Sequence, residues 1–268
     1  MSGAAVRKQT ALITGASSGI GLELARLFAR GGFDLVLVAR SLDKLNQLAG
    51  ELRERWGVSV RILVKDLTNP QAPDEVFQGL RQASIPIDIL VNNAGFGAYG
   101  FFHQLDLKRD LEMIQVNIAV LTKLTKLFLP AMIERKQGKI LNVASTAAFQ
   151  PGPLMAVYYA TKAYVLHFSE AIANELRGTG VTVTCLCPGP TRSGFQEMAD
   201  IENVKLVRAG MMSSERVARI GYEGLLKGKT VVVAGLRNKI SAFLVRLGPR
   251  SWVRRIVRFV QEEARKHA

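Results

Sequence analysis

The 268-residue sequence predicts an α/β fold, in which a doubly wound parallel sheet of about seven strands is followed by a C-terminal helical tail. Strand-like and helix-like segments alternate at the spacing of right-handed βαβ crossovers. The strand segments are almost continuously apolar, which is typical of strands buried on both faces between two helical layers. With 48% hydrophobic residues the chain can fill one large core, and this composition excludes a disordered protein.

The strands are predicted from short apolar runs, and the helices from apolar residues that recur three and four positions apart. The predicted strands are residues 8–14, 33–39, 58–64, 87–91, 138–144, 182–187 and 230–234. The predicted helices follow the first strand, follow a capping Ser41, and cover residues 71–83, 108–136 and 156–177. We find no linker or repeat between them, so we expect residues 1–235 to form one domain and residues 236–268 a helical extension.

Cysteine usage and the N-terminal segment favour a cytoplasmic protein without a metal site. Cys185 and Cys187 fall on one face of a predicted strand, where a disulfide is geometrically poor and two ligands are too few for a metal. A strand begins by about residue 10, which leaves no room for a signal peptide. We also expect no apolar run near the ~18 to 20 residues that a membrane span needs.

The extension carries half of the net charge of +14, because residues 236–268 hold nine basic and two acidic residues. The basic residues are Arg237, Lys239, Arg246, Arg250, Arg254, Arg255, Arg258, Arg265 and Lys266. Two amphipathic stripes flank Gly248-Pro249, namely Ile240, Phe243, Leu244 and Leu247, then Trp252, Ile256, Phe259 and Val260. Three interpretations of the extension stay open. It could lie on an anionic membrane surface, which would make the protein peripheral to a membrane, or it could bind an acidic partner such as an acyl carrier protein. It could also be a helix docked on the domain or on a second subunit. Nucleic acid is not expected, since no recognition motif accompanies the charge.

A glycine-rich turn, TGASSGIG, joins the first strand to the first helix. Glycines in this context allow a tight turn and a close approach of the backbone to a pyrophosphate at the helix N-terminus. The pattern predicts a dinucleotide-binding, Rossmann-type domain. The candidate cofactor residues of the turn are Gly15, Ser17, Ser18, Gly19, Ile20 and Gly21.

Arg40 follows the second strand, where sites that prefer NAD usually carry an acidic residue for the ribose. An arginine at this position can bind a 2′-phosphate, so we expect NADP(H) in preference to NAD. The alternative is a solvated surface arginine. The residue before the second glycine of the turn, Ser18, is uncharged, so Arg40 is the cation expected to carry most of the interaction with the phosphate.

With these motifs the chain resembles the short-chain dehydrogenase/reductase family over roughly residues 8–235, in particular its NADP(H)-preferring carbonyl, 3-oxoacyl and steroid reductases. The shared motifs are TGASSGIG, NNAG at 92–95, PGPTRS at 188–193, and Asn117, Ser145, Tyr158 and Lys162, which match the family's catalytic tetrad. The resemblance places Asp66 and Leu67 near the adenine, and Asn93, Ala94 and Gly95 near its ribose. It also places Pro188, Gly189, Thr191 and Ser193 at the nicotinamide, with Ser193 standing where a threonine is usual.

Tyr158 and Lys162 are four residues apart on a predicted helix, so they share a face. A nearby ammonium is expected to lower the phenol's pKa towards neutral pH. The resemblance implies that Tyr158 exchanges a proton with the substrate oxygen, that Ser145 hydrogen-bonds this oxygen, and that Lys162 also bonds the nicotinamide ribose. It further implies that Asn117 interrupts its helix and holds a water that relays protons to Lys162. Tyr159 is interpreted as packing or as a wall of the substrate cleft.

Residues 194–214 follow the nicotinamide motif and are rich in methionine and other apolar residues, which suits a mobile lid over a bulky apolar substrate. The apolar residues are Phe195, Met198, Ile201, Val204, Leu206, Met211 and Met212, and the same site is expected to include Phe96, Phe101, Phe102, Phe149 and Leu154. The alternative is a small helix packed on the core.

We therefore expect an NADP(H)-dependent oxidoreductase of hydrophobic ketones or secondary alcohols. The alternatives are a 3-oxoacyl-(acyl-carrier-protein or CoA) reductase and a regulatory or scaffold protein that binds NADP. The resemblance also implies a homo-dimer or homo-tetramer.

Overall fold

The computed structural model describes residues 7–195, Ala199, Lys205 and 210–262. Seven parallel strands form the central sheet in the order β3-β2-β1-β4-β5-β6-β9, which confirms the predicted sheet. They are β1 Thr10–Thr14, β2 Asp34–Ala39, β3 Val60–Val64, β4 Ile89–Asn92, β5 Gly138–Val143, β6 Val181–Cys187 and β9 Val231–Val233. Two short strands that the sequence did not predict, β7 Thr191–Arg192 and β8 Met212–Ser213, pair with each other.

Helices cover both faces of this sheet. They are α1 Gly19–Arg30, α2 Leu42–Trp56, α3 Ala72–Gln82, α4 Leu107–Ile114, α5 Leu121–Glu134, α6 Ala156–Glu175, α7 Ser214–Leu226, α8 Leu236–Leu244 and α9 Arg250–Gln261. Successive residues of β1 point to opposite faces: Ile13 packs in the core beneath α1 and α2, and Leu12 in the core beneath α3 and α5. This alternation is why the strands are apolar throughout.

The predicted helix over residues 108–136 is divided in the structure. Helix α4 ends at Ile114, a π-helical turn covers Gln115–Val120, and α5 continues from Leu121. A π turn closes i→i+5 hydrogen bonds, so it accommodates one extra residue without ending the helix. The local interruption expected at Asn117 is therefore a widening of the helix.

The combined run Leu107–Glu134 is 28 residues long, and its most apolar window has a mean hydropathy of 1.5. By length and composition alone it is able to cross a membrane, so the expectation that no such run exists is wrong. In the fold, however, Leu124 and Phe128 of this run pack with Leu90 and Ile140 of the sheet. The run is thus accommodated as a core helix of the α/β domain.

The tail contains two helices, α8 and α9, and the predicted break at Gly248-Pro249 lies between them. One face of α9 is buried, since Val253 and Val257 pack in a cluster with Met155, Tyr158 and Tyr159. The boundary at residue 235 between a domain and an extension stays a prediction. Cys185 and Cys187, both on β6, are buried free thiols, as their positions predicted.

Candidate active site

A cavity of about 1280 Å³ lies along the C-terminal ends of the sheet strands. In an open parallel sheet this is the edge where ligands bind, at the point where strand order reverses, here between β1 and β4. The cavity extends from the glycine-rich turn to the tail helices. Most predicted site residues line it: Gly15, Ser17, Ser18, Gly19, Ile20, Arg40, Asp66, Leu67, Asn93, Ala94, Gly95, Ser145, Tyr158, Lys162, Pro188, Gly189, Thr191 and Ser193. Gly21 and Asn117 are not part of its lining.

The glycine-rich turn has the close backbone packing that its sequence predicts. Gly15 adopts a positive φ of 65°, and a Cβ atom there would lie 2.9 Å from Asn93 Nδ2. A Cβ on Gly21 would lie 2.3 Å from the Gly15 carbonyl oxygen. Both positions therefore exclude side chains, and Gly21 shapes the turn from behind without touching the cavity.

Thr14 and Asn93 hold the turn against the end of β4. The Thr14 hydroxyl oxygen accepts hydrogen bonds from the backbone N–H groups of Asn93 and Ala94, both at 3.0 Å. The Asn93 amide donates to the carbonyl oxygens of Thr14 at 2.9 Å and Gly15 at 3.2 Å. Asn93 therefore fixes the cavity floor, and Thr14 is a supporting residue that sequence reasoning missed.

Two cationic residues in the segment that follows β2 line the cavity. Arg40 is exposed just after β2, and Lys44 lies in the first turn of α2. Among the described residues no carboxylate forms an ion pair with either. The N-terminus of α2, capped by Ser41, adds a partial positive charge at the same place. Lys44 was not predicted, although it lies in the first turn of the helix that Ser41 was expected to cap.

Ser145, Tyr158 and Lys162 come together at the end of β5. Ser145 follows this strand and caps the short 3-10 helix Thr146–Phe149, while Tyr158 and Lys162 lie on α6. Lys162 Nζ donates to the Val143 carbonyl oxygen at 2.9 Å and lies 5.8 Å from the centroid of the Tyr158 ring. The shared face predicted from the four-residue spacing is therefore observed.

Burial dominates the acid–base properties of this group. It raises the pKa of Tyr158 to about 12, against a smaller lowering by a hydrogen bond with Ser145. It lowers the pKa of Lys162 to about 8, opposed by the nearby Cys185 and Cys187. The expected lowering of the Tyr158 pKa by Lys162 is thus wrong for this arrangement, because desolvation of the phenol is the larger effect.

Asn117 lies behind the cavity and is only 2% exposed. Its amide Nδ2 donates to the Phe96 carbonyl oxygen and to Thr161 Oγ1, each at 3.0 Å, and its Oδ1 accepts from the Phe96 N–H at 3.1 Å. Thr161 Oγ1 in turn donates to the Tyr158 carbonyl oxygen at 2.7 Å. The π turn of Asn117 is thereby joined to α6. The predicted role of Asn117 in holding a relay water stays a prediction.

The segment after β6 closes the cavity near Ser145. Thr191 Oγ1 donates to the Gly189 carbonyl oxygen at 2.8 Å, and Ser193 Oγ accepts from the Phe195 N–H at 3.3 Å. The Phe195 ring packs 5.2 Å from that of Tyr158. The hydroxyl of Ser193 thus serves to shape the turn that places Phe195 at the cavity.

The apolar part of the cavity differs from the prediction. Phe96, Phe195 and Met155 line it, but Phe101, Phe102, Phe149 and Leu154 do not. Phe101 and Phe102 lie on an exposed 3-10 turn, and Phe149 packs beside α6 in a separate cluster. Met211 and Met212 pack in core clusters. Met198, Ile201, Val204 and Leu206 lie outside the described residues.

The tail provides the remaining wall. Docking on the domain was one of the three interpretations of the tail, but its contribution to the cavity was not foreseen. The lining includes residues of α8, of α9 and of the loop between them, among them Val245, Trp252, Val253 and Val257. Gln261 is only 2% exposed, and its side-chain amide donates to the Tyr159 hydroxyl. The Tyr99 hydroxyl donates to the Gln261 backbone carbonyl at 2.8 Å. Tyr159 and Tyr99 therefore both fasten the tail to the domain.

The chain is similar to known oxidoreductases. The family model for short chain dehydrogenase matches residues 9–203. The human very-long-chain 3-oxoacyl-CoA reductase is 38% identical over 183 residues, which are 66% of this chain and 58% of that protein. The chain thus spans less than two thirds of the length of that reductase.

Solved structures share the fold over most of their length. A short-chain dehydrogenase from Sphingobium yanoikuyae in complex with NADPH has a TM-score of 0.79 and 35% identity, covering 92% of this chain and 96% of that one. The bulky-bulky ketone specific alcohol dehydrogenase from Comamonas testosteroni has a TM-score of 0.76 and 31% identity, covering 92% and 95%. The match of the family model over most of the chain, together with these structures, shows that the protein belongs to the short-chain dehydrogenase/reductase family.

Proposed function

We propose that the protein is an NADP(H)-dependent oxidoreductase that interconverts hydrophobic ketones and secondary alcohols. The observation that carries this proposal is the continuity of one cavity. It joins the glycine-rich turn, the Ser145–Tyr158–Lys162 group and an apolar wall that includes Phe195 and the tail. A dinucleotide bound at the turn would thus lie beside a substrate whose carbonyl oxygen meets the Ser145–Tyr158–Lys162 group. The apolar part of the same substrate would lie against the apolar wall.

The turn fits a dinucleotide, because Gly15 and Gly21 leave no room for side chains and the N-terminus of α1 follows. The unpaired Arg40 and Lys44 supply the charge that a 2′-phosphate requires and a ribose hydroxyl does not. NADPH in the complex of the Sphingobium yanoikuyae dehydrogenase adds support. When bound, the nicotinamide supplies or accepts the hydride.

The protein's own residues would donate the proton and stabilise the charge that develops on the substrate oxygen. With a pKa of about 12, the Tyr158 phenol is protonated at neutral pH and is a proton donor for ketone reduction. The Ser145 hydroxyl would hydrogen-bond the same carbonyl oxygen and stabilise its developing charge. Lys162, held by the Val143 carbonyl, would fix the ribose and favour the phenolate that remains. Asn117, which lies behind the cavity, would hold α6 in place. We propose that it also binds the predicted water that relays protons to Lys162.

Replacing the reactive phenol tests this mechanism. Tyr158→Phe should lower kcat at least about a thousandfold while NADPH binding, followed by fluorescence, stays nearly unchanged. Tyr164→Phe is the matched control, since Tyr164 lies on the same helix but bonds Thr122 away from the cavity. Turnover of Tyr158→Phe at the wild-type rate would exclude the mechanism.

Replacing the unpaired arginine tests the cofactor. Arg40→Ser should raise KM for NADPH by about tenfold to a hundredfold and leave KM for NADH almost unchanged, because one charge-assisted contact to phosphate is lost. Equal effects on both cofactors would identify Arg40 as a solvated surface residue.

A second candidate function is reduction of 3-oxoacyl thioesters, favoured by the human relative's activity as a very-long-chain 3-oxoacyl-CoA reductase. A panel of bulky aromatic ketones, steroid ketones and acetoacetyl thioesters, each tested with NADPH and NADH, separates the two. NADPH binding without turnover of any of them would favour the scaffold alternative.

We also propose a homo-dimer or homo-tetramer formed through α4, α5 and α6. Helix α4 exposes Leu107, Leu111 and Ile114 in a row along one face. Light scattering of wild-type protein and Leu107→Ser/Leu111→Ser checks this, because loss of these side chains should shift the protein to the monomer.

A further inference from the structure

The tail carries an exposed apolar surface, only part of which lines the cavity. Its large side chains are between 50% and 73% exposed. We call this surface the tail patch, defined by Leu236, Ile240, Phe243, Leu244, Leu247, Trp252, Ile256 and Phe259. Soluble proteins seldom leave so many large apolar side chains together in water.

Both tail helices contribute to this surface. In α9, Val253, Val257 and Gln261 are buried, while Trp252, Ile256 and Phe259 are exposed. In α8 only Ala242 is buried, and Ile240, Phe243 and Leu244 repeat at helical spacing on the exposed side. Docking of α9 on the cavity therefore leaves a second apolar face without a partner.

The charged side chains of the two helices that carry the tail patch are all positive. Residues 236–261 contain seven basic residues and no acidic one. Six of the seven are exposed: Arg237, Lys239, Arg246, Arg250, Arg254 and Arg255. Within the described part of the chain none of these six has an ion-pair partner, whereas Arg258 pairs with Glu262.

We propose that the tail patch binds an anionic membrane surface. Exposed, unpaired cations on the same two helices as exposed apolar side chains, with a tryptophan among them, complement acidic head groups and the acyl boundary together. A second copy of the chain would place like charges opposite one another in a two-fold interface. A soluble acidic protein would satisfy the arginines but would leave Phe243, Leu247 and their neighbours against a polar surface.

The position of the cavity gives this binding a consequence for substrate access. Leu244, Trp252 and Ile256 belong both to the tail patch and to the lining of the cavity. The cavity therefore opens at the surface that would meet the membrane, so an apolar substrate dissolved in the bilayer would reach it without crossing water. The binding itself does not depend on the proposed reaction.

Vesicle flotation tests the proposal with full-length protein. We expect binding to phosphatidylcholine vesicles containing about one third phosphatidylglycerol, weak binding to phosphatidylcholine alone, and release at high salt as charges are screened. Arg254→Gln/Arg255→Gln should weaken binding roughly 30-fold. Phe243→Ser/Leu247→Ser should weaken it at least about tenfold.

Matched controls keep the test specific. Ile133→Ser/Leu226→Ser removes exposed apolar side chains far from the tail and should bind as the wild type does. Retained NADPH binding and thermal unfolding show that each variant is folded. Wild-type protein that does not float with acidic vesicles, or tail variants that bind like the control, would overturn the proposal. Two other results, if the protein does not bind vesicles, would also overturn the proposal. The first is a wild-type dimer that dissociates in Phe243→Ser/Leu247→Ser. The second is saturable binding of the wild type to an acyl carrier protein.

Discussion

The hydrogen bond between Gln261 and Tyr159 joins the tail to the helix that carries Tyr158, and a double-mutant cycle measures its contribution. Tyr159 is 5% exposed and Gln261 is 2% exposed, so neither polar group can turn to water when its partner is removed. Tyr159→Phe leaves the Gln261 amide without this partner, and Gln261→Met leaves the Tyr159 hydroxyl alone. Each single change should reduce the free energy of unfolding by about 1–3 kcal/mol.

The double variant should be more stable than the sum of the single effects predicts, because both polar groups are then gone. The coupling energy is therefore expected to be about 1–3 kcal/mol. Each single variant should lower the midpoint of thermal unfolding, followed by circular dichroism, by roughly 2–10 °C. The Tyr99 bond is unaffected by these substitutions because it is made to the Gln261 backbone.

Local undocking of the tail has a separate readout. The exposed Arg254 and Arg255 are trypsin sites, and cleavage there should be faster in both single variants than in the wild type. Single effects that simply add, with a coupling below about 0.5 kcal/mol, would show that the two side chains do not support each other. The inference that Tyr159 fastens the tail would then be refuted.

Three further predictions concern the domain itself. Asn117→Ala removes three hydrogen bonds of a buried side chain and should reduce the free energy of unfolding by about 2–4 kcal/mol, measured by urea denaturation. Burial lowers the pKa of Lys162 from 10.5 to about 8, so between these pH values the unfolded chain binds more protons than the folded one. The free energy of unfolding should therefore increase by roughly 3 kcal/mol as the pH is raised from about 8 to 10.5. Lys162→Met should lack this increase. Gly21→Ala should destabilise the fold by about 1–3 kcal/mol and weaken NADPH binding, because its Cβ atom meets the Gly15 carbonyl oxygen. Gly50→Ala, in open space on α2, should instead stabilise the fold by about 0.4–1 kcal/mol. Equal unfolding midpoints for these two variants would contradict the packing argument.

The fold follows from the sequence because its strands are apolar on both faces. The alternation of Leu12 and Ile13 between the two cores is the physical reason why a continuous apolar run predicts a parallel sheet. The glycine-rich turn and the Ser145 to Tyr158 spacing also place their residues correctly at one cavity. These features are encoded locally, within a single turn or between one strand and the helix that follows it.

The residues that sequence reasoning missed act over long distances along the chain. Gln261 meets Tyr159 across 102 residues, and a polar residue at the end of a basic amphipathic helix is expected to face water. Thr161 and Thr14 are also recognised only once their partners are in place. The direction of the Tyr158 pKa was wrong for a similar reason, since burial is a property of the packed domain and the i, i+4 spacing reports only the neighbouring charge.

The wall that α9 contributes to the cavity separates selection of the substrate from the chemistry along the chain. The residues proposed for proton and hydride transfer all lie before residue 194, whereas Val253, Val257 and Gln261 lie at its far end. Exchange of the tail between relatives would therefore alter the shape of the substrate space while the reactive group keeps its supports. Under the proposed function, α9 is therefore the natural target for redesign of substrate range, provided that the contact between Gln261 and Tyr159 is kept.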